Sequence, residues 1–329
     1  MRTLWSGYHS VLACQIEQYL ATKRALGCKF DSEDRTLRLF DRWLVEQQLD
    51  RLEEITGAHL DAFLASRHRN NARSHNHLLG VVRRLFEWLV DQQVIATSPL
   101  QVHARRETAR SQPFLFDPPA IRRLLEEAGR LPDNPRSRLR GPTYEMIFAL
   151  IATLGLRISE AARLQCGDVD LDRDVLQIRN TKFGKTRLVP FGARLARRLR
   201  IYLALRENHG FSVVGSAPLF SFNGKSAIST NSIRNTFRDH LVPLLRLEVP
   251  AGSNGPRVHS LRHSFAVRTL LRWYREGQNP TARLHHLSTF MGHVNPNTTA
   301  IYLTITSDLL QEANHRFEAF APTRTEATS

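Results

Sequence analysis

The sequence predicts a mainly α protein of two domains, with a small antiparallel β-sheet set into the second. Three observations carry that expectation. Apolar residues recur at helical spacing in four separate runs between Tyr8 and Ile95. A polar, basic stretch without apolar periodicity, residues 101–113, follows Ser98-Pro99. Short strand-like runs divided by turn residues then occur between Gly167 and Pro190. At 329 residues the chain is long enough for two cores, and its hydrophobic share of 42% and charged share of 23% are those of an ordinary folded protein.

Residues 1–100 read as a four-helix bundle. Val11, Leu12, Ile16, Tyr19 and Leu20 mark the first helix, closed by Gly27. Asp31 and Ser32 are cap candidates for a second, with Leu37, Leu39, Phe40, Trp43 and Leu44 on its apolar side. Leu60, Phe63 and Leu64 follow Gly57 as a shorter third. A fourth, from Ala72 to Gln93, carries Leu78, Val82, Leu85, Phe86 and Leu89 beside a basic flank of Arg69, Arg73, Arg83 and Arg84. Residues 101–113 are the expected linker, and 114–329 the second domain.

In that domain Asp117 and Pro118 have the chemistry of a helix start ahead of Ile121, Leu124 and Leu125. A loop over Leu131–Pro142 leads to a helix through Tyr144–Thr153. Val169 and Leu171, Val175 to Ile178, and Leu188-Val189 make the small sheet. Arg194–Arg206 is helical and basic, residues 208–230 are extended, and Asn231–Leu247 is helical again. A loop over Pro250–Pro256 precedes helices expected at 261–276, 281–290 and 298–320, with a polar tail to Ser329.

Charge narrows the partner. Lysine and arginine number 46 against 31 acidic residues, a formal net charge of +15. Such an excess favours a polyanion, because neutralised phosphates release counterions. Only Lys23, Lys29, Lys182, Lys185 and Lys225 are lysines, so arginine, suited to bidentate phosphate contact, supplies nearly all of it. Cys14, Cys28 and Cys166 lack C-x-x-C spacing and read as free thiols of a reducing, cytoplasmic setting. No signal segment opens the chain, and the apolar run Met146–Leu156 is too short to span a bilayer, so no membrane partner is expected.

One stretch organises the rest. Gly292-His293-Val-Asn-Pro-Asn-Thr-Thr-Ala-Ile-Tyr302 places a tyrosine on a short helix behind a polar, bendable loop, where it can be advanced toward a substrate and withdrawn. Upstream stand Leu-Gly-Leu-Arg157-Ile-Ser-Glu160, Thr-Lys182-Phe-Gly-Lys-Thr-Arg-Leu-Val-Pro and His259-Ser-Leu-Arg262-His263-Ser. Taken singly, each is more often a surface charge, a turn lysine or a helix-end histidine. In this order they resemble the tyrosine recombinase (phage-integrase-type) family, over about 114–320 with specific motifs and over the helical bundle more loosely.

The resemblance implies an α+β catalytic domain behind a SAM-like, core-binding DNA-binding domain, and strand exchange through a 3′-phosphotyrosyl link at Tyr302 without metal, ATP or other cofactor. It implies that Arg157 and Arg262 clamp the non-bridging oxygens and that Lys182 protonates the 5′ leaving oxygen. His259 serves as general base or phosphate donor, His293 as a further donor, and Glu160 and His263 as supports. The chemistry agrees: cutting a phosphodiester without metal needs a nucleophile, charge stabilisation and a proton source. The implied partner is double-stranded DNA, gripped by a two-domain clamp in a homo-tetramer on two sites, with accessory or sister recombinases. Because the bundle begins near Tyr8, no arm-binding domain of the lambda type is expected, which suits a Xer-type or transposon-borne enzyme. Leu309, Leu310, Ala313, Phe317 and Phe320 would form a terminal helix that docks on a neighbouring subunit.

Other readings are weaker. Phe183-Gly184-Lys185-Thr186 and Asn223-Gly224-Lys225-Ser226 end like phosphate-binding loops, but Arg179 and Leu219 stand where the earlier glycine belongs. His259 and His263 have zinc-ligand spacing without the glutamate or third ligand of a metalloprotease. A monomeric type IB topoisomerase-like enzyme, or an inactive DNA-binding relative, shares parts of the pattern.

Overall fold

The structure is a computed structural model that describes residues 7–107, 112–179, 186–293, 297–304 and 311. The chain divides into two compact units, Met1–Arg110 and Ser111–Ser329. Among the described residues no helix is long and apolar enough to cross a membrane.

The first unit holds α1 (Ala13–Ala25), α2 (Asp31–Glu46), α3 (Gly57–Ser66) and α4 (Ala72–Asp91). Leu12, Ile16, Phe40, Phe63, Leu85 and Phe86 are among the side chains that close its core. Phe40 meets the rings of Phe63 and Phe86 at tilted and edge-on angles, so the core is aromatic at its centre. The start of α2 differs from the expected cap. Phe30, at φ 53°, is the N-cap and makes no side-chain cap bond, while Asp31 lies inside the first turn. Packing of Phe30 against the core outweighs the cap preference of the two polar residues after it. α3 starts at Gly57 itself, with Thr56 and His59 exchanging cap bonds.

Part of the basic flank of α4 is engaged by its own chain. Arg83 donates to the Val102 carbonyl at 2.6 Å, Asn76 pairs both ways with the Arg105 backbone, and Arg73 meets Glu107 at 3.1 Å. Residues 102–107 therefore run along α4.

In the second unit, α5 (Pro118–Gly129) opens with Asp117 accepting from the Ala120 N–H at 2.6 Å. α6 (Arg140–Leu154) is buried all round from Met146 to Ala152 and forms the centre of the core. It begins two residues ahead of Pro142, which fits in the first turn where no intrahelical N–H is needed. After the short α7 (Ile158–Ala162) comes an antiparallel sheet of β1 (Val169–Asp170), β2 (Val175–Ile178) and β3 (Arg187–Pro190), in that order. Leu176 pairs with Val189 and Ile178 with Arg187, which places Leu176, Ile178 and Val189 on the buried face and Leu188 outward.

α8 (Ala193–Asn208) is followed by the extended segment, and then by α9 (Thr230–Asn235), a π turn over Thr236–Leu241 and α10 (Val242–Leu245). The expected single helix widens there because Pro243 has no N–H and its ring crowds the preceding turn. α11 (Val258–Arg275), α12 (Pro280–Met291) and α13 (Asn297–Ala300) complete the described helices. Tyr302 lies in the 3₁₀ turn Ile301–Thr304 that succeeds α13, not within a long α-helix. The expected helix beyond Thr306 lies outside the described residues.

Phe148 is fully buried against Tyr144 and Phe237 at the middle of α6. Phe148→Ala is expected to lower stability by ~3–5 kcal/mol in urea unfolding followed by circular dichroism. A loss below ~1 kcal/mol would contradict α6 as the centre of the core.

Candidate active site

The site grows from the ends of α6 and α12. α6 stops at Gly155, φ +62°, where a Cβ would stand 2.5 Å from the Phe265 ring. Glycine is required there by both the left-handed turn and the close approach of α11. The chain then presents Arg157 as the N-cap of α7. Glu160 reaches back to accept the Arg157 N–H at 2.8 Å and its Nη1 at 2.7 Å. Arg157 Nη2 donates to the Gly292 carbonyl at 2.7 Å, across from α7 to the end of α12.

Two further arginines meet the same helix end. Arg262, 1% exposed on α11, donates to the Gly155 and Met291 carbonyls. Arg187, the first residue of β3, donates through Nε to the Phe290 carbonyl at 3.0 Å and through both terminal nitrogens to Glu160 at 2.9 Å. Three successive carbonyls at the C-terminus of α12, from Phe290 to Gly292, thus each receive an arginine from a different element. Those carbonyls have no intrahelical partner and carry the negative end of the helix dipole, so cations are favoured there.

The histidines and the tyrosine sit around this grip. His259, in the first turn of α11, keeps contact with solvent, and its ring stands edge-on to His263 at 4.5 Å between centroids. His263 Nδ1 and Tyr302 Oη share a hydrogen bond of 2.7 Å. His293 follows Gly292 directly, and its Nδ1 meets Thr299 Oγ1 at 2.6 Å. Tyr302 is only 2% exposed, packed with Ala266, Leu270, Leu287 and Met291. Arg157, Glu160, His259, Arg262, His263, His293 and Tyr302 therefore come together. Lys182 and Lys185, with the rest of residues 180–185, lie outside the described residues. Among the described residues no three His, Cys, Asp or Glu side chains gather as metal ligands.

Charge follows from this geometry. Burial alone pushes the Glu160 carboxyl up, but the hydrogen bonds and charge of Arg187, then those of Arg157, outweigh it and hold it down to about 2. Burial and then the Arg157 charge lower Arg262 to about 10, which leaves it protonated at neutral pH. Protein packed about the His259 ring, then the charges of Arg262 and Arg157, bring that histidine down to about 4. Burial, then His259 and Arg262, bring His263 to about 4, and burial followed by Arg262 and Arg157 brings His293 to about 3. All three histidines are neutral at pH 7. Burial pushes the Tyr302 hydroxyl up, opposed by Arg262 and Arg157. A cleft of about 620 Å³ lined by Arg234, Arg238, Arg257 and His259 opens beside the site. Three guanidiniums about the end of α12 outnumber the one carboxylate there, and unprotonated imidazoles stand close by, a place for an anion.

Two participants escape a reading of motifs. Arg187 stood in the Arg-Leu-Val-Pro run without a role, and strand alternation is the signal that could have found it: Arg187 shares the inward phase with Val189. Thr299, fully buried and bonded to His293, carries no motif signal in the run that leads to Tyr302.

Comparison with known proteins adds a second line. Residues 120–308 match the phage integrase family, and 34–93 match the phage integrase N-terminal SAM-like domain. The chain is 34% identical over 307 residues to a putative integrase/recombinase, y4rB, of Sinorhizobium fredii, covering 92% of this chain and 96% of that protein. It is 28% identical over 277 residues to tyrosine recombinase XerC of Xanthomonas campestris, covering 83% and 77%. In fold it resembles the Tn1549 transposon integrase in complex with a circular intermediate DNA (TM-score 0.65, 17% identity, 95% and 99% covered). It also resembles a lambda integrase dimer bound to a COC′ core site (TM-score 0.63, 15% identity, 90% and 77% covered).

Glu160 generates a pH prediction. A depressed carboxyl pKa contributes stability that is present above the ordinary value near 4.5 and is lost as pH falls through about 2. Glu160→Gln should therefore be less stable by ~3–5 kcal/mol at neutral pH, with the gap closing between about pH 4.5 and 2 in acid-titrated unfolding curves. A gap that stayed constant down to pH 2 would remove the carboxylate from its place between the arginines.

Proposed function

The chain belongs to the phage integrase family, and from that premise we propose that it is a site-specific DNA recombinase that cuts and rejoins strands through a tyrosine–phosphate link. The observation that carries this reading is that Arg157, His259, Arg262, His293 and Tyr302, drawn from separate elements, lie together about the end of α12, where positive charge is in excess. Two buried or half-buried guanidiniums beside a tyrosine suit a phosphodiester, whose transition state spreads charge over its non-bridging oxygens.

In the proposed reaction Tyr302 Oη attacks the scissile phosphorus, the P–O5′ bond breaks, and a 3′-phosphotyrosyl link conserves the bond energy until a 5′ hydroxyl reverses the step. No nucleotide triphosphate is then required. Arg157 and Arg262 neutralise the non-bridging oxygens. His259, unprotonated at neutral pH in the free protein, takes the tyrosine proton or hydrogen-bonds the phosphate, and His293 donates to it. Lys182 delivers the proton that the 5′ oxygen needs on leaving. Glu160 and His263 support the arginines and the tyrosine. Because Tyr302 is buried and tied to His263, it must leave that position before it can meet a duplex.

Residues 1–100 would act as the core-binding domain, 101–113 as the linker and 114–329 as the catalytic domain. Double-stranded DNA is the partner. Strand exchange requires two cut sites, which a homo-tetramer bridging two DNA segments supplies, with the segment from Ser307 to Phe320 linking neighbouring subunits. Accessory or sister recombinases and a cytoplasmic setting belong to the same reading.

Tyr302→Phe is expected to bind DNA carrying the flanks of its gene as the parent does, and to give no covalent adduct on a denaturing gel. Full trapping of that DNA by the Phe variant would overturn the assignment of the nucleophile.

Lys182 and Lys185 stand three residues apart between β2 and β3, and the leaving group separates their proposed roles. A 5′-bridging sulfur leaves as a thiolate and needs no proton. Lys182→Ala should lose on the order of 10²–10⁴-fold in cleavage of ordinary DNA and regain most of it on the sulfur substrate. Lys185→Ala should lose less, and equally on both. Rescue seen with Lys185→Ala instead would exchange the two roles.

A further inference from the structure

Glu160 is saturated by its neighbours. Its Oε1 accepts from Arg157 Nη1 at 2.7 Å and Arg187 Nη1 at 2.9 Å, and its Oε2 from the Arg157 N–H at 2.8 Å and Arg187 Nη2 at 2.9 Å. Half of those bonds come from Arg187, whose side chain is 12% exposed against 2% for Glu160. The third arm of the Arg187 fork, Nε, holds the Phe290 carbonyl at 3.0 Å, two residues before the Gly292 carbonyl that Arg157 holds. Arg187 is thus joined to Arg157 twice, once through a shared carboxylate and once through the turn that ends α12.

Gly292 makes this closeness sterically feasible. Its φ is +68°, and a Cβ built there would lie 2.6 Å from Arg187 Nη1 and 2.9 Å from its Cζ. The guanidinium occupies the space that any side chain at 292 would fill, so glycine is required by the contact as well as by the backbone. A planar fork places donors of three separate nitrogens on both oxygens of one carboxylate and on one carbonyl, whereas a lysine has a single nitrogen to offer.

From this geometry we infer that Arg187 is the positioning residue of the site: it acts through Glu160 and the Phe290–Gly292 turn to set the Arg157 guanidinium where a scissile phosphate can be clamped. Without Arg187, half of the Glu160 acceptor sites lose their partner in a buried place. The carboxylate then turns to satisfy itself on Arg157, and the α12 end loses one of its three anchors. Both changes move Arg157, and a displacement near 1 Å is enough to cost about 100-fold in rate.

The inference rests on the phosphate-clamping role of Arg157, and a substrate chosen for charge separates the two. A methylphosphonate at the scissile position replaces one non-bridging oxygen by a methyl group and removes the negative charge that Arg157 would neutralise. Arg187→Ala is expected to form the covalent adduct about 100-fold more slowly on ordinary DNA, with its affinity for that DNA little changed. On the methylphosphonate substrate its deficit should shrink to within about tenfold, as should that of Arg157→Ala. Arg187→Lys, which keeps the charge against Glu160 but not the fork, guards against a simple folding defect. It should melt near the parent temperature and fall between parent and Arg187→Ala in rate on ordinary DNA. Equal deficits of the Arg187 variants on both substrates, while the Arg157→Ala deficit shrinks, would overturn the inference and leave the clamp intact. A deficit of Arg157→Ala that does not shrink would overturn the clamp and the inference with it.

Discussion

The last carbonyls of α12 are the point on which this site depends. Every α-helix ends with carbonyls that lack an intrahelical donor, and here three of them are met by guanidiniums from β3, α11 and the start of α7. Charge-assisted hydrogen bonds of this kind contribute roughly 1.5–3 kcal/mol each, and together they set the sheet, the α6–α7 turn and α11 against one another. His293 is the next residue along the chain, so its placement follows from the same three contacts. Burial and then the Arg157 charge lower the Arg262 pKa to about 10, opposed by the Glu160 carboxylate, and it stays well above neutral pH.

Charge explains why such an arrangement suits phosphate. Arg157 and Arg187 both pair with Glu160 and Arg262 lies close by, so the site carries a surplus of positive charge that one carboxylate cannot cancel. The same surplus, added to burial, keeps His259, His263 and His293 unprotonated. An incoming phosphate diester would offset that surplus, and the histidines would then bind protons more readily. Tyr302 is held apart from this exchange by burial and by its bond to His263, so the proposed nucleophile and the proposed anion site are held by separate contacts in the free chain.

Much of the architecture was legible in residue patterns, because periodicity and caps act over a few neighbouring residues. The four helices of the first unit and the alternation in β2 and β3 follow directly from apolar spacing, and Asp117 caps α5 through a bond to a residue three positions on. Local signals failed where distant packing overrode them. Phe30, not Asp31, begins α2 because its ring has a core to join. Tyr302 lies in a 3₁₀ turn because its ring is packed under α11 and α12. The basic flank of α4 is plain in the sequence, but not that residues 102–107 return to bond with Arg73, Asn76 and Arg83.

For the site, the sequence alone named the candidates, Arg157, Glu160, Lys182, His259, Arg262, His263, His293 and Tyr302, in an order that resembles one family. It also determined the excess of arginine that calls for an anionic partner. Only the tertiary structure decided what each described member touches. That His263 rather than an arginine holds the Tyr302 hydroxyl, that Arg187 reaches the Glu160 already held by Arg157, and that Gly292 must lack a side chain to admit Arg187 all depend on contacts between residues 27 to 105 positions apart. Spacing rules reach no further than a helical turn or a hairpin, whereas these contacts form only after the core of α6 and the end of α12 have brought remote segments together.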